Sequence, residues 1–136
     1  MFATAHHRSH LAEVIIGLMV VVALTLAVAS TIHFGVELAG IDDPFPGAAL
    51  PEAIIAVVVF AGAVAAVLSV PRAWGWALGT TIFAIIGFLV GLRFTLFGGR
   101  PIVSGDVVYH LAGLLILIVT AVLLLSRPGH EAFRKG

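Results

Sequence analysis

The sequence predicts an all-α integral membrane protein: one domain of four membrane-spanning helices, up-down-up-down, with both termini in the cytoplasm. Composition is the first reason. Of 136 residues, 61% are hydrophobic and 10% charged, whereas a soluble domain carries about 25% charged residues. Too few polar side chains remain to coat a water-facing surface, and mean hydropathy is +1.20. The second reason is spacing. The stretches 14–36, 53–71, 73–92 and 107–126 contain no Asp, Glu, Lys or Arg and are 19 to 23 residues long. A helix needs about 20 residues to cross the hydrocarbon core. The third is the distribution of Lys and Arg, which sets orientation. With four spans, both termini and the 71–73 turn share a side that holds Arg8, Arg72, Arg127, Arg134 and Lys135, while the other side holds Arg93 and Arg100. That bias puts the termini inside, as in a multi-pass protein of the inner (plasma) membrane of a bacterium.

Each span has local signals at its ends. Helix one is expected over 11–34. A rival reading makes residues 1–29 a signal peptide cleaved after Ala27-Val28-Ala29, but the leading segment is weakly basic, Glu13 interrupts it and the apolar run continues to Phe34, so an intact first span is favoured. The loop 35–51 contains acids and no base, as expected outside the cell. Helix two is expected over 52–70, with Pro51 in its first turn, Glu52 against its positive N-terminus and Pro71 as its stop. Helix three is expected over 73–97, with Trp74 and Trp76 at one interface and Phe94 and Phe97 near the other, where Tyr109 also falls. Helix four is expected over 106–126, capped by Ser104 or Asp106 and closed by Pro128-Gly129.

The span centres hold no charge. Their polar groups are Thr25, Thr80, Thr81 and Thr120, and such hydroxyls usually bond back to their own helix. Intramembrane charge marks ion and proton paths, so a transporter or channel is the least favoured function. Helix three carries Gly75, Gly79, Gly87 and Gly91 at intervals of four, eight and four, with Phe83 filling the gap, which reads as a small-residue packing face. In lipid, close backbone approach replaces the hydrophobic drive between helices. This face predicts tight packing, either within the bundle or in a homo-oligomer or larger membrane complex.

Polar side chains collect at the outer ends. His33 is followed four residues later by Glu37, and Asp106 four residues later by His110; on a helix each histidine shares a face with its acid. Carboxylates commonly hold a ligating imidazole in one tautomer. Helices one and four are neighbours in an up-down bundle, so His33 and His110 are expected at similar depth, with Glu37 and Asp106 as ligands or supports. Such a group suits a transition metal or, less readily at this shallow depth, haem b. Arg93 and Glu52 are expected to form an outer ion pair, and the competing readings are a purely structural cluster, and acid–base catalysis or polar-headgroup binding there. His6, His7 and His10 near the N-terminus are a weak metal signal.

Other classes are excluded. No cysteine is present, which removes thiolate metal sites, disulfides and cysteine nucleophiles. Serine-hydrolase, zinc-protease, phosphate-loop and dinucleotide motifs are absent, and no basic surface points to nucleic acid. The expected function is a non-enzymatic accessory or interaction subunit of a membrane complex. The alternatives are metal or haem binding at the outer cluster, then a channel or transporter component.

Overall fold

A computed structural model describes residues 9–99 and 101–134. It is all-helical: α1 His10–His33, α2 Pro46–Val67, α3 Ala73–Phe97, α4 Ser104–Leu125 and the short α5 Arg127–Ala132. The first four helices, of 24, 22, 25 and 22 residues, are long and apolar enough to cross a membrane. At 1.5 Å per residue they reach about 33–38 Å, more than the ~30 Å hydrocarbon core. The chain therefore has the form of a multi-pass membrane protein. Arg8, Arg100 and Lys135, used above for orientation, and His6 and His7 lie outside the described residues.

Helix α1 packs on α2, α2 on α3 and α3 on α4, and α4 closes more lightly on α1. Ile15, Met19, Val22, Leu26, Val59, Ala63, Ala77, Ala84, Phe88 and Leu117 fill the interior. Large apolar side chains such as Leu24, Val57, Ile86 and Leu115 point outward and are half or more exposed, the pattern expected where lipid is the neighbour. All four central threonines return their hydroxyls to their own helices: Thr25 to Val22, Thr80 to Trp76, Thr81 to Ala77 and Thr120 to Ile116. The bundle centre spends its polar atoms on local backbone.

Helix ends depart from the expected ones for identifiable reasons. Helix α1 stops at His33 because Gly35 adopts a left-handed φ of 91°. The Gly35 N–H donates to Ile32 and the Val36 N–H to Thr31, the paired reverse bonds of a Schellman cap. Ser69, at φ 50°, builds the same cap on α2 with bonds to Ala66 and from Val70 to Ala65. It ends that helix at Val67, ahead of Pro71. Helix α2 begins six residues earlier than expected. Pro46 occupies the start, where a missing N–H costs nothing, and Pro51 lies inside the helix. Helix α4 starts after Val103 with no side-chain cap, so neither Ser104 nor Asp106 caps it. Pro128 does not simply close the chain: Ser126 caps α5 by accepting from the Gly129 N–H at 3.1 Å.

The glycines of α3 do not form one face. Steps of four residues rotate 40° each on a 3.6-residue helix, so the four glycines fan out. Gly75 and Gly79 are exposed, and a methyl group on Gly79 would meet nothing within 4 Å. Gly87 and Gly91 turn inward against Ile55 and His110. The closest helix crossings use other glycines too: Gly62 of α2 against Thr80 of α3, and Gly113 of α4 against Phe88 of α3.

A latch closes one end of the bundle. The Trp74 indole N–H donates to the Leu124 carbonyl at 2.8 Å, and His130 of α5 stands edge-on to the Trp74 ring, with centroids 4.7 Å apart.

Candidate functional site: a buried histidine–carboxylate cluster

The other end is polar. His33 closes α1, Glu52 lies in the second turn of α2, and Asp106 and His110 lie in the first two turns of α4. Between α1 and α2 the chain makes a two-residue turn at Ala39-Gly40, both at positive φ, with reciprocal bonds between Leu38 and Ile41. It then returns to the bundle, where the Phe45 N–H donates to the His33 carbonyl at 2.9 Å. The Ser30 hydroxyl donates to the Ala49 carbonyl at 2.7 Å and fixes the start of α2 against the end of α1. These bonds place Glu52 beside His33.

The imidazole is held firmly. His33 Nδ1 lies 2.6 Å from Glu52 Oε2, and the two side chains are 11% and 9% exposed. A carboxylate only accepts, so Nδ1 carries the proton and donates. That leaves Nε2 as the free nitrogen of the neutral ring. Nε2 is 3.9 Å from Asp43 Oδ2. Ligating atoms of His33, Asp43 and Asp106 all lie within 4.8 Å of one another. Phe45 stands edge-on to the His33 ring at 6.0 Å.

His110 is also nine-tenths buried but oriented separately. Its Nδ1–H donates to the Asp106 backbone carbonyl at 2.7 Å, not to that residue's carboxylate. Its Nε2 is the atom nearest to Gly91; a side chain on Gly91 would displace the ring. Phe88 and Tyr109 pack around it at 5.8 and 5.2 Å between centroids. The Tyr109 hydroxyl is the one buried side-chain polar atom among the described residues without a hydrogen-bond partner.

Both histidines line one cavity of about 540 Å³, within the ~300–1,000 Å³ typical of small-molecule sites. Glu52, Asp106, Tyr109 and His110 form its polar end, and Leu26, Ile55 and Phe83 its apolar depth, about halfway along the helices. Ile54, Ile86, Val90 and Phe94 also line it while being about half exposed on the outer surface. Its side therefore opens between α2 and α3.

The expected site is partly rearranged. His33, His110 and Asp106 meet at one cavity, as the spacing suggested. Glu37 does not join them; it is exposed in the loop because the Schellman cap ends the helix before it. The expected Arg93–Glu52 pair is replaced: Glu52 bonds His33, and Arg93 is exposed with no ion pair among the described residues. Asp43 and Tyr109 went unassigned in the sequence. Asp43 sits on a loop whose path no periodicity encodes, and Tyr109 resembles an interface anchor until α3 covers it. The chain matches no family model, no curated protein and no solved structure, so the functional reading rests on its own residues.

Proposed function

We propose that this is a multi-pass protein of the inner (plasma) membrane, up-down-up-down with both termini cytoplasmic, that holds a divalent transition-metal ion at its outer side through His33, Asp43 and Asp106. One observation carries the reading: Glu52 accepts a hydrogen bond from His33 Nδ1–H and leaves Nε2 3.9 Å from Asp43 Oδ2, in a group with Asp106 whose ligating atoms lie within 4.8 Å of one another. A carboxylate behind a ligating imidazole fixes the tautomer and raises the basicity of the ligand. One imidazole and two carboxylates suit zinc, manganese or iron(II), with coordination positions left for water or a further ligand. Haem fits less well. His33 Nε2 faces Asp43 and His110 Nε2 packs against Gly91, an arrangement for two partners rather than one bis-imidazole pair.

Purified protein loaded with zinc(II) or manganese(II), then washed, is expected to retain about one ion per chain by mass spectrometry of the metal. His33→Ala and Asp106→Asn abolish retention. Glu52→Gln, which keeps the shape but not the charge, weakens affinity about 10–100-fold. His110→Ala leaves it unchanged. Metal retained by the first two variants, or none retained by wild type, refutes the site.

A second reading, an interaction subunit joined to a second copy or a larger membrane complex, is favoured by α3. It is the least covered of the four long helices, and Gly75 and Gly79 open outward on it, so another helix could approach closely there. Gly79→Leu should then reduce the size of the native assembly. An unchanged size in a mild detergent counts against that role.

A further inference from the structure

We infer that the cavity binds a membrane-soluble organic cation, an amphiphilic amine whose ammonium head sits between Asp106 and His110 and whose apolar body lies along α2 and α3. This goes beyond the metal reading: Asp106 is common to the two, while His110 and the walls of α2 and α3 belong to this one alone.

The inference starts from what the cavity offers. Apart from the hydroxyls of Tyr109 and Thr95, its polar side chains offer acceptors. The Asp106 carboxylate lines the cavity half-buried and makes no hydrogen bond or ion pair among the described residues. His110 is committed at Nδ1, which makes Nε2 an acceptor, and that nitrogen also has no partner among the described residues. Gly47 lines the same cavity, and Pro51, four residues on, has no N–H to give its carbonyl. A ligand for this end must bring donors. A positive or neutral head suits the Asp106 carboxylate, since no Lys or Arg lines the cavity among the described residues. An anionic lipid head would meet the Asp106 carboxylate with no Lys or Arg lining the cavity among the described residues to offset the repulsion, and the low dielectric of the site magnifies that cost. A neutral alcohol satisfies an acceptor but leaves the Asp106 charge unpaired. An ammonium group supplies both donors and charge. Phe88, Phe94 and Tyr109 also line the cavity, and aromatic rings attract cations that approach their faces.

The rest of the molecule is set by the walls. Ile55, Phe83, Ile86 and Val90 offer no hydrogen bond, and the opening between α2 and α3 faces the region where lipid chains lie. An amine carried in the bilayer can therefore enter sideways, apolar end along the helices and head toward the polar end. Water need not be crossed.

The test uses the whole protein in lipid nanodiscs with three twelve-carbon probes, each bearing a photoreactive diazirine in the chain: an amine, an alcohol and a carboxylate. The amine should label cavity-wall residues of α2 and α3 saturably, with unlabelled dodecylamine competing. Saturable labelling by the alcohol should be at least tenfold weaker, and the carboxylate should give none. His110→Ala should cut amine labelling severalfold. Val90→Trp, which fills the opening without touching a polar group, should abolish it. Equal labelling by the carboxylate overturns the inference, as does wild-type labelling in both variants. Neither variant changes a proposed metal ligand, so loss of amine labelling with metal retention intact separates this inference from the metal reading, and labelling is done on metal-free protein because Asp106 is common to both.

Discussion

The His33–Glu52 bond gives the sharpest test of the fold and the site together. Both side chains are about nine-tenths buried and 2.6 Å apart, so solvent screening is slight and each group depends on the other. Glu52→Leu leaves the imidazole N–H buried without an acceptor, which costs about 1–3 kcal/mol. His33→Leu strands a buried carboxylate, which costs about 3–5 kcal/mol. Replacing both removes the two desolvation penalties along with the bond, and apolar replacement of a buried pair is often close to neutral. With the double variant close to neutral, nearly all of the summed single costs of about 4–8 kcal/mol should be recovered, a coupling above the ~3 kcal/mol usual upper end for contacting residues. Reversible unfolding by increasing mole fraction of sodium dodecyl sulfate in mixed micelles, followed by helical circular dichroism, measures all four corners of the cycle. Additivity to within about 0.5 kcal/mol would show that the pair is not coupled and would sink the tautomer argument on which the metal reading stands.

Other expectations follow from particular contacts. Gly113→Val must displace the Phe88 ring and should cost about 1–3 kcal/mol in the same titration, whereas Gly79→Ala, with open space around it, should be neutral or slightly stabilising; a reversed order would mean α3 is rotated from its place here. Trp74→Phe keeps the ring against His130 but loses the bond to the Leu124 carbonyl, so amide exchange across 127–134 should quicken, consistent with a loss of about 1 kcal/mol; unchanged protection would show that α5 is held otherwise. Because the chain lacks cysteine, single Asp42→Cys and Ser69→Cys variants have no background, and a membrane-impermeant maleimide on intact cells should label the first and spare the second. Labelling of Ser69→Cys alone would invert the proposed topology.

How much was legible in the sequence depends on whether the deciding force was local. The four spans are, because apolar length is local and the bilayer sets its threshold. The threonine bonds are too, since a hydroxyl reaches its own i−4 carbonyl without help from elsewhere. Pairing His33 with Glu37 failed although the signal against it was present: Gly35 stands where a Schellman cap wants a left-handed residue, and a helix that ends there cannot carry Glu37 on its face. The Glu52 partnership was out of reach, because it joins two helices whose rotation depends on Ser30 meeting Ala49 and Phe45 meeting His33. The glycine face failed for a geometric reason that could be computed in advance. Four residues is not a whole turn, and four such steps carry the row of glycines from lipid to interior.

The latch at Trp74 and the cavity at the opposite end give the bundle a direction. Below Leu26 and Phe83 the interior is solid, with Met19, Val59, Thr81, Leu117 and Leu124 fully covered, and the indole and α5 shut the far end. Whatever reaches His33 and His110 therefore comes and goes through a single leaflet, by the side door between α2 and α3 or past the loop that carries Asp43. Under the proposed reading, such a molecule is bound and released on the side from which it came. If the proposed second helix packs at the outward glycines of α3, it rests on the same helix that walls the cavity, and occupancy of one bears on the other.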